Sequence, residues 1–314
     1  MQNKSKRHEL LTGQIQRMDF LVEWEEYDPV SRSMGMRMVP DPRRYERRDV
    51  GGRTMYFDRF TNIAIALDTL VEAFNARGAP LPLTSLPPLI PSVSDYASGR
   101  RVALQTELRG EGHVPAVPPP QPSKPFNHGS DRDVAFVSLD VVGATALRVL
   151  DPARFDQAFE IMVRELGTLV GHFSGSLLKG TGDGFIAYVD QESILARDNA
   201  VDLSLSMLTL LRDAINPALA ETGLPELRVR IGADQGPARI RTIPMSTGFM
   251  FADVVSDALN RAVKLQEAAP INGLLIGESL RDQLHVGWME RATAVDLSIG
   301  AAVGLPGYRA FVVE

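Results

Sequence analysis

Three short segments of this 314-residue chain carry side chains whose types and spacing suit chemistry on a phosphate-bearing substrate. The first is the apolar run Ala135-Phe136-Val137-Ser138-Leu139, which ends in Asp140 and continues as Val141-Val142-Gly143-Ala144-Thr145. The second is Lys179-Gly180-Thr181-Gly182-Asp183-Gly184-Phe185, and the third runs from Asp253 through Asn260 and Arg261 to Lys264. Asp140 and Asp183 are oxygen donors of the kind that Mg²⁺ and Mn²⁺ prefer. If a hairpin carrying Asp183 lies beside the strand ending at Asp140, the two carboxylates can hold a pair of such ions. Gly143 leaves room beside them, with backbone N–H groups near enough to meet phosphate oxygens. Lys179 adds a donor and Asp253 an acceptor. Asn260 and Lys264, four residues apart, share one face of a helix.

Each residue alone has a plain structural use. Asp140 fits a strand-end turn, and Asp183 a Gly-Asp-Gly hairpin. Lys179 fits a solvated edge position, and Asn260 an exposed helical one. Asp253 fits a helix N-cap, because the sequence after it has helical periodicity. The signal lies in the combination and its order.

Those residues need elements to position them. Residues 134–139 read as a buried strand, and 152–170 as a helix with Phe155, Phe159, Met162, Val163, Leu166 and Val170 on one face. Residues 176–179 and 184–189 read as a hairpin closed by Gly-Thr-Gly-Asp. Residues 192–215 read as a helix, 228–233 as a strand and 255–267 as a helix. A strand at 274–277, a short helix at 279–285 and a strand at 308–313 follow. The β-α-β-β-α-β order is that of a ferredoxin-like core, an α/β (α+β) fold. Upstream, residues 61–77 have helical spacing with a stop at Gly78. Arg43-Arg44-Tyr45-Glu46-Arg47-Arg48 reads as a solvated basic turn. Residues 79–127 hold eleven prolines, which remove backbone donors and argue against a continuous helix or sheet across the stretch. The expected organisation is an N-terminal region over 1–78, a Pro-rich linker over 79–130 whose residues 114–125 read as extended and mobile, and a catalytic domain over 131–314.

Bulk composition narrows the classes. There is no cysteine, so disulfides and thiolate metal sites are excluded. The net charge of −6 argues against nucleic acid as the main partner. No apolar run reaches the roughly 20 residues of a membrane span, and no signal peptide follows the charged N-terminus. A cytoplasmic location is the resulting expectation.

The three segments together resemble the catalytic domain of class III nucleotidyl cyclases, over roughly residues 133–285. That resemblance implies conversion of a nucleoside triphosphate to a 3′,5′-cyclic nucleotide and pyrophosphate. It implies that Asp140 and Asp183, with the Val141 carbonyl, hold two Mg²⁺ or Mn²⁺ ions. Lys179 and Asp253 then select the base, and Asn260 orients the ribose. Lys264 stands where the family usually has a phosphate-binding arginine. The family divides these roles between two subunits, so a homodimer with two composite sites is implied. Three departures stand out. Lysine lacks arginine's planar fork, Ala144 replaces a commonly aromatic residue, and residues 237–250 lack the family's usual wording there.

The base is left open between two choices. Asp253 can accept from an exocyclic amine and Lys179 can donate to a bare ring nitrogen, a pattern that suits adenine and disfavours guanine. ATP to cAMP is the simplest reading. Cytosine presents the same edge, and a cyclase making cCMP or cUMP, as in Pycsar-type bacterial anti-phage systems, is the alternative. An inactive nucleotide-binding regulatory module is a reading of another class.

Overall fold

The computed structural model describes residues 18–28, 33–69, 88–127, 129, 131–189, 196–296 and 306–314. They divide into two compact units, one formed by residues 1–83 with 282–290 and the other by residues 84–281 with 291–314.

The first unit contains two antiparallel assemblies. Strands β1 (Phe20–Asp28) and β2 (Ser33–Pro40) pair with each other. Strands β3 (Tyr45–Val50), β4 (Arg53–Asp58) and β5 (Ala64–Ala66) form a three-stranded sheet. Gly51 and Gly52 join β3 to β4 at φ of 59° and 77°, the positive values a tight two-residue hairpin requires. The basic cluster is paired internally. Buried Arg44 donates to Asp19 and Asp58 at 2.9 Å each and to the Leu284 carbonyl at 3.3 Å. Asp19 also accepts from the Val286 N–H at 3.0 Å. Arg43 pairs with Asp41, and Arg48 with Glu46. Residues 64–66, read from the sequence as helical, are a strand. Residues 67–69 are helical as expected, and the remainder of that expected helix, from residue 70 through Gly78, lies outside the described residues.

The second unit is built on an eight-stranded sheet of order β12-β13-β11-β9-β6-β8-β7, with β10 added to β9. The strands are β6 (Arg132–Val141), β7 (Ser176–Gly180), β8 (Gly184–Val189), β9 (Val229–Pro244), β10 (Met250–Val255), β11 (Gly273–Gly277), β12 (Ala292–Ala294) and β13 (Ala310–Val313). Strand β9 pairs antiparallel with β6 and β10 and parallel with β11. Six of these strands match sequence expectations. The notable difference is that β9 runs on to Pro244 and turns back as β10, so residues 237–250 belong to a hairpin.

Helix α1 (Val93–Leu108) lies inside the proline-rich stretch, to which the sequence reading assigns no helix. The prolines crowd residues 80–91 and 115–125, and none interrupts the interval between. Ser92 caps α1 by accepting from the Asp95 N–H. After α1 the proline-rich chain is a fixed strap. Arg100 donates to the Val114 carbonyl and bidentately to Glu165. Gln121 N–H reaches the Gly171 carbonyl. Ser176 and Ser123 hydroxyls accept from Lys124 N–H at 2.9 Å and Leu177 N–H at 3.1 Å. Phe126 is buried, edge-on to Tyr188. Residues 114–125, read from composition as an extended linker, make these contacts along α3 and β7, and Phe126 just beyond them packs on β8.

Further helices are α2 (Ala144–Leu150), α3 (Pro152–His172), α4 (Ala196–Leu210) with a π-turn over Leu211–Ile215, α5 (Asn216–Glu221) and α6 (Asp257–Ala268). The first residues of the helix expected from 192 fall outside the described ones. Asp151 caps α3 and Pro152 opens it, the usual division of labour at a helix start. Phe155, Met162, Leu166 and Val170 are buried along its length, while Phe159 and Val163 are half-buried. Helix α6 lies on β9 so closely that a Cβ on Gly232 would sit 2.3 Å from the Ala262 carbonyl oxygen. Only glycine permits that approach. Phe136, Ile186 and Tyr188 of the sheet pack there with Ala258, Leu259 and Ala262. Among the described residues, no helix is long and apolar enough to cross a membrane.

Candidate active site

The sheet brings Asp140 and Asp183 together. In the β6–β8 register Asp140 faces Gly184. A Cβ at Gly184 would lie 1.9 Å from the Leu139 carbonyl oxygen, so a larger residue would force the hairpin off β6. The Val141 N–H donates to the Asp183 carbonyl at 3.0 Å, and Thr181 N–H closes the turn onto Gly184. Gly182 has φ of 101°, which favours glycine there. The Asp140 carboxyl is pushed up to about 7, first by burial and then by the adjacent Asp183 carboxyl. The Arg230 guanidinium, opposite Asp140 in the β6–β9 register, and the Val141 N–H oppose that rise. A pair of carboxylates that resists full ionisation on its own is a donor set a divalent cation would stabilise. The residues therefore fit such an ion. Among the described residues, no group of three or more His, Cys, Asp or Glu side chains gathers as a metal cluster. A site here rests on two carboxylates plus backbone oxygen. Gly143 has φ of 73° and caps α2, and a Cβ on it would meet nothing within 4 Å. Its glycine is thus required by conformation, with open space in front of it.

Lys179 and Asp253 also meet. Lys179 Nζ lies 3.7 Å from Asp253 Oδ1, and each side chain is 47% exposed. The β7–β8 register shifts between Leu177 and Lys179, a bulge of the kind that re-aims a side chain. Asp253 lies on β10, not at a helix start. Ser256 holds the α6 N-cap instead, accepting from Leu259 N–H at 3.4 Å. This leaves the Asp253 carboxylate with its own Val254 N–H at 2.8 Å and with Lys179. The two side chains border a cleft of about 350 Å³ lined also by Phe126, Leu178, Ile240 and Val254.

Asn260 and Lys264 lie one turn apart on the exposed side of α6. Lys264 is engaged with Glu267 at 2.9 Å. Arg261 is committed elsewhere, to fully buried Asp234, which also accepts from Tyr308 at 2.7 Å. Among the described residues, no hydrogen bond or ion pair joins the Asp140–Asp183 pair to Lys179, Asp253, Asn260 or Lys264. Two residues here escaped the sequence reading. Arg230 had a legible signal, being the only basic residue within strand segment 229–233, but its pairing with Asp140 needed the register. Phe126 had none, because it follows a run of prolines.

No protein-family model matches the chain, and no curated protein matches it in sequence. Solved structures do. The guanylyl cyclase Cya2 superposes with a TM-score of 0.50 at 17% identity, over 59% of this chain and 93% of that one. The fold is that of a nucleotidyl cyclase catalytic domain. Lower-scoring matches are the adenylyl cyclase CyaB from P. aeruginosa (TM-score 0.48, 14% identity, 59% of this chain and 94% of that one) and the guanylate cyclase domain of RhGC from Catenaria anguillulae in complex with GTP (TM-score 0.48, 14% identity, 58% and 96%). Within this cyclase fold the acidic pair stands at the end of β6 and the turn of the β7–β8 hairpin, and the Lys179–Asp253 pair bridges β7 and β10.

Proposed function

We propose that the protein is a nucleotidyl cyclase that converts a nucleoside triphosphate to a 3′,5′-cyclic nucleotide and pyrophosphate. The observation that carries this is the Asp140–Asp183 carboxyl pair on a cyclase-fold sheet, where burial and the Asp183 carboxyl raise the Asp140 carboxyl to about 7. Two Mg²⁺ or Mn²⁺ ions bound by Asp140, Asp183 and the Val141 carbonyl would supply positive charge to the triphosphate and acidify the attacking 3′-hydroxyl. The chain's own residues do the rest. Lys179 donates to a ring nitrogen and Asp253 accepts from an exocyclic amine, so the base is held by its edge. Asn260 orients the ribose, and the Lys264 ammonium meets charge that develops on the phosphoryl oxygens. Gly143 lets the chain turn away from the triphosphate. These donors approach the acidic pair from a second copy of the chain, in a homodimer with two composite sites. The β9–β10 hairpin supports that assembly, because Ile243, Met245, Phe249, Met250 and Phe251 are all exposed on it. Exposed apolar side chains clustered on one hairpin suit an interface.

The edge read by Lys179 and Asp253 makes ATP the leading substrate. CTP offers the same edge, so the product names the base. The test is incubation with each of the four ribonucleoside triphosphates and Mn²⁺, with the cyclic product identified by mass. Asp140→Ala and Asp183→Ala are each expected to lower pyrophosphate release by about 10²–10³-fold, the scale of losing a preorganised charge-stabilising group. Undiminished release in either folded variant would falsify the acidic-pair assignment. A wild-type protein that binds nucleotide without forming product would be the regulatory module instead.

A further inference from the structure

The Lys179–Asp253 pair reads the edge of a base but has no means of sensing its size. A nucleobase is flat, with a polar rim and two apolar faces, and the cleft beside this pair has the matching build. Its rim carries the ammonium and carboxylate, and its body is made by Phe126, Leu178, Ile240 and Val254. Three of those four come from the sheet. Phe126 comes from the strap that follows α1.

The strap is stitched to the strand that carries Lys179. The Ser123 hydroxyl accepts from Leu177 N–H and the Ser176 hydroxyl accepts from Lys124 N–H, within three residues of Lys179. The Tyr188 hydroxyl donates to the Lys124 carbonyl, and the Phe126 and Tyr188 rings meet edge-on at 5.3 Å. Farther back, Gly171 lets the strap approach α3 so closely that a Cβ would lie 2.5 Å from the Gln121 carbonyl oxygen. The strap is thus anchored to β7 immediately before its bulge, at Ser176 and Leu177, and its aromatic end lines the cleft that Lys179 borders.

We infer that the strap is a specificity-determining wall of the base cleft. Phe126 limits how far a base slides against Leu178, Ile240 and Val254, and the Ser123–Leu177 bond holds the Lys179 bulge in register with it. The inference rests on reading the cleft as a nucleobase site, and it assigns base size, which the polar pair cannot read, to a segment upstream of the sheet.

The test uses the full chain. Equilibrium binding of the four 3′-deoxynucleoside triphosphates, which lack the attacking hydroxyl, is measured with Mn²⁺ beside cyclisation of the four normal triphosphates. Phe126→Leu is expected to weaken the preferred nucleotide by about tenfold, the scale of a reshaped apolar contact. It should weaken the others less, with kcat retained, so that selectivity narrows. Ser123→Ala, which removes a hydroxyl without opening the core, should narrow selectivity in the same direction to a smaller degree. Wild-type selectivity in both folded variants overturns the wall while leaving cyclisation intact. An equal loss for all four nucleotides, accompanied by a fall in kcat, also overturns it, since that is the pattern of a merely structural strap. Selective binding without any cyclic product sinks the cyclase reading alone, and the binding arm still reads the wall. Absence of binding by the wild type sinks both.

Discussion

At the scale of single residues, the most informative departure is Lys264. In the proposed site it is the cation that meets the phosphates, yet it is a point charge, and Glu267 holds it. An ammonium paired at the surface must give up that partner to act, a modest cost for an exposed pair. Lys264→Arg, which restores a planar fork, and Glu267→Gln, which frees the ammonium, are each expected to raise kcat several-fold in steady-state pyrophosphate release. A fall or no change in both would place this side chain off the phosphates. Arg261 illustrates how far sequence reaches at this scale. Its place on the helix beside Asn260 is plain from the sequence, but its actual employment with Asp234 and Tyr308 required residues 27 and 47 positions away to be folded beside it.

Elements show a different balance. Helix α3 was legible because apolar residues recur at its period and Asp151-Pro152 marks its start. Its C-terminal end carries an unexpected group. The His172 ring is buried, edge-on to Tyr96 at 5.1 Å, with neither ring nitrogen hydrogen-bonded. Burial, with Arg100 nearby, holds His172 below its usual value of 6.5. The unfolded chain therefore takes up this proton more readily than the folded one. Stability from this group is complete above about pH 6.5 and is lost as pH falls from there toward the lowered folded value. His172→Phe should flatten the decline in melting temperature between about pH 7.5 and pH 5.5, relative to wild type. Parallel melting curves for the two proteins would show that His172 does not carry this loss. The same element level explains why a helix within residues 79–127 goes unassigned from the sequence. Composition averaged over the stretch concealed a proline-free interval long enough for α1, and the strap's order comes from Ser123, Arg100 and Phe126 bonding to partners more than a dozen residues distant.

For the whole molecule, the central question is how four residues on β7, β10 and α6 reach an acidic pair they do not touch within one chain. The proposed answer is a second copy. Mixing an Asp140→Ala protein with an Asn260→Ala protein tests it directly. If subunits exchange freely, half of the dimers are mixed and each has one intact composite site, so activity should recover to about a quarter of the wild-type level. A mixture no more active than its parents would mean that each site is assembled within one chain. The result separates the two arrangements without any structure of the dimer.

The sequence by itself determined the residue types and their order: two carboxylates 43 positions apart, a lysine before the second, and an acid, an amide and a lysine in the final segment. It also determined most elements of the sheet, since their periodicity and turn glycines are local properties. Tertiary structure alone decided which of those groups meet. The 1.9 Å constraint at Gly184 zips the hairpin to β6, a bulge turns Lys179 toward Asp253, and Ser256 takes the cap that releases Asp253. Each depends on the register between strands distant in sequence. Register follows from side-chain packing across the whole sheet, which no local window of residues contains.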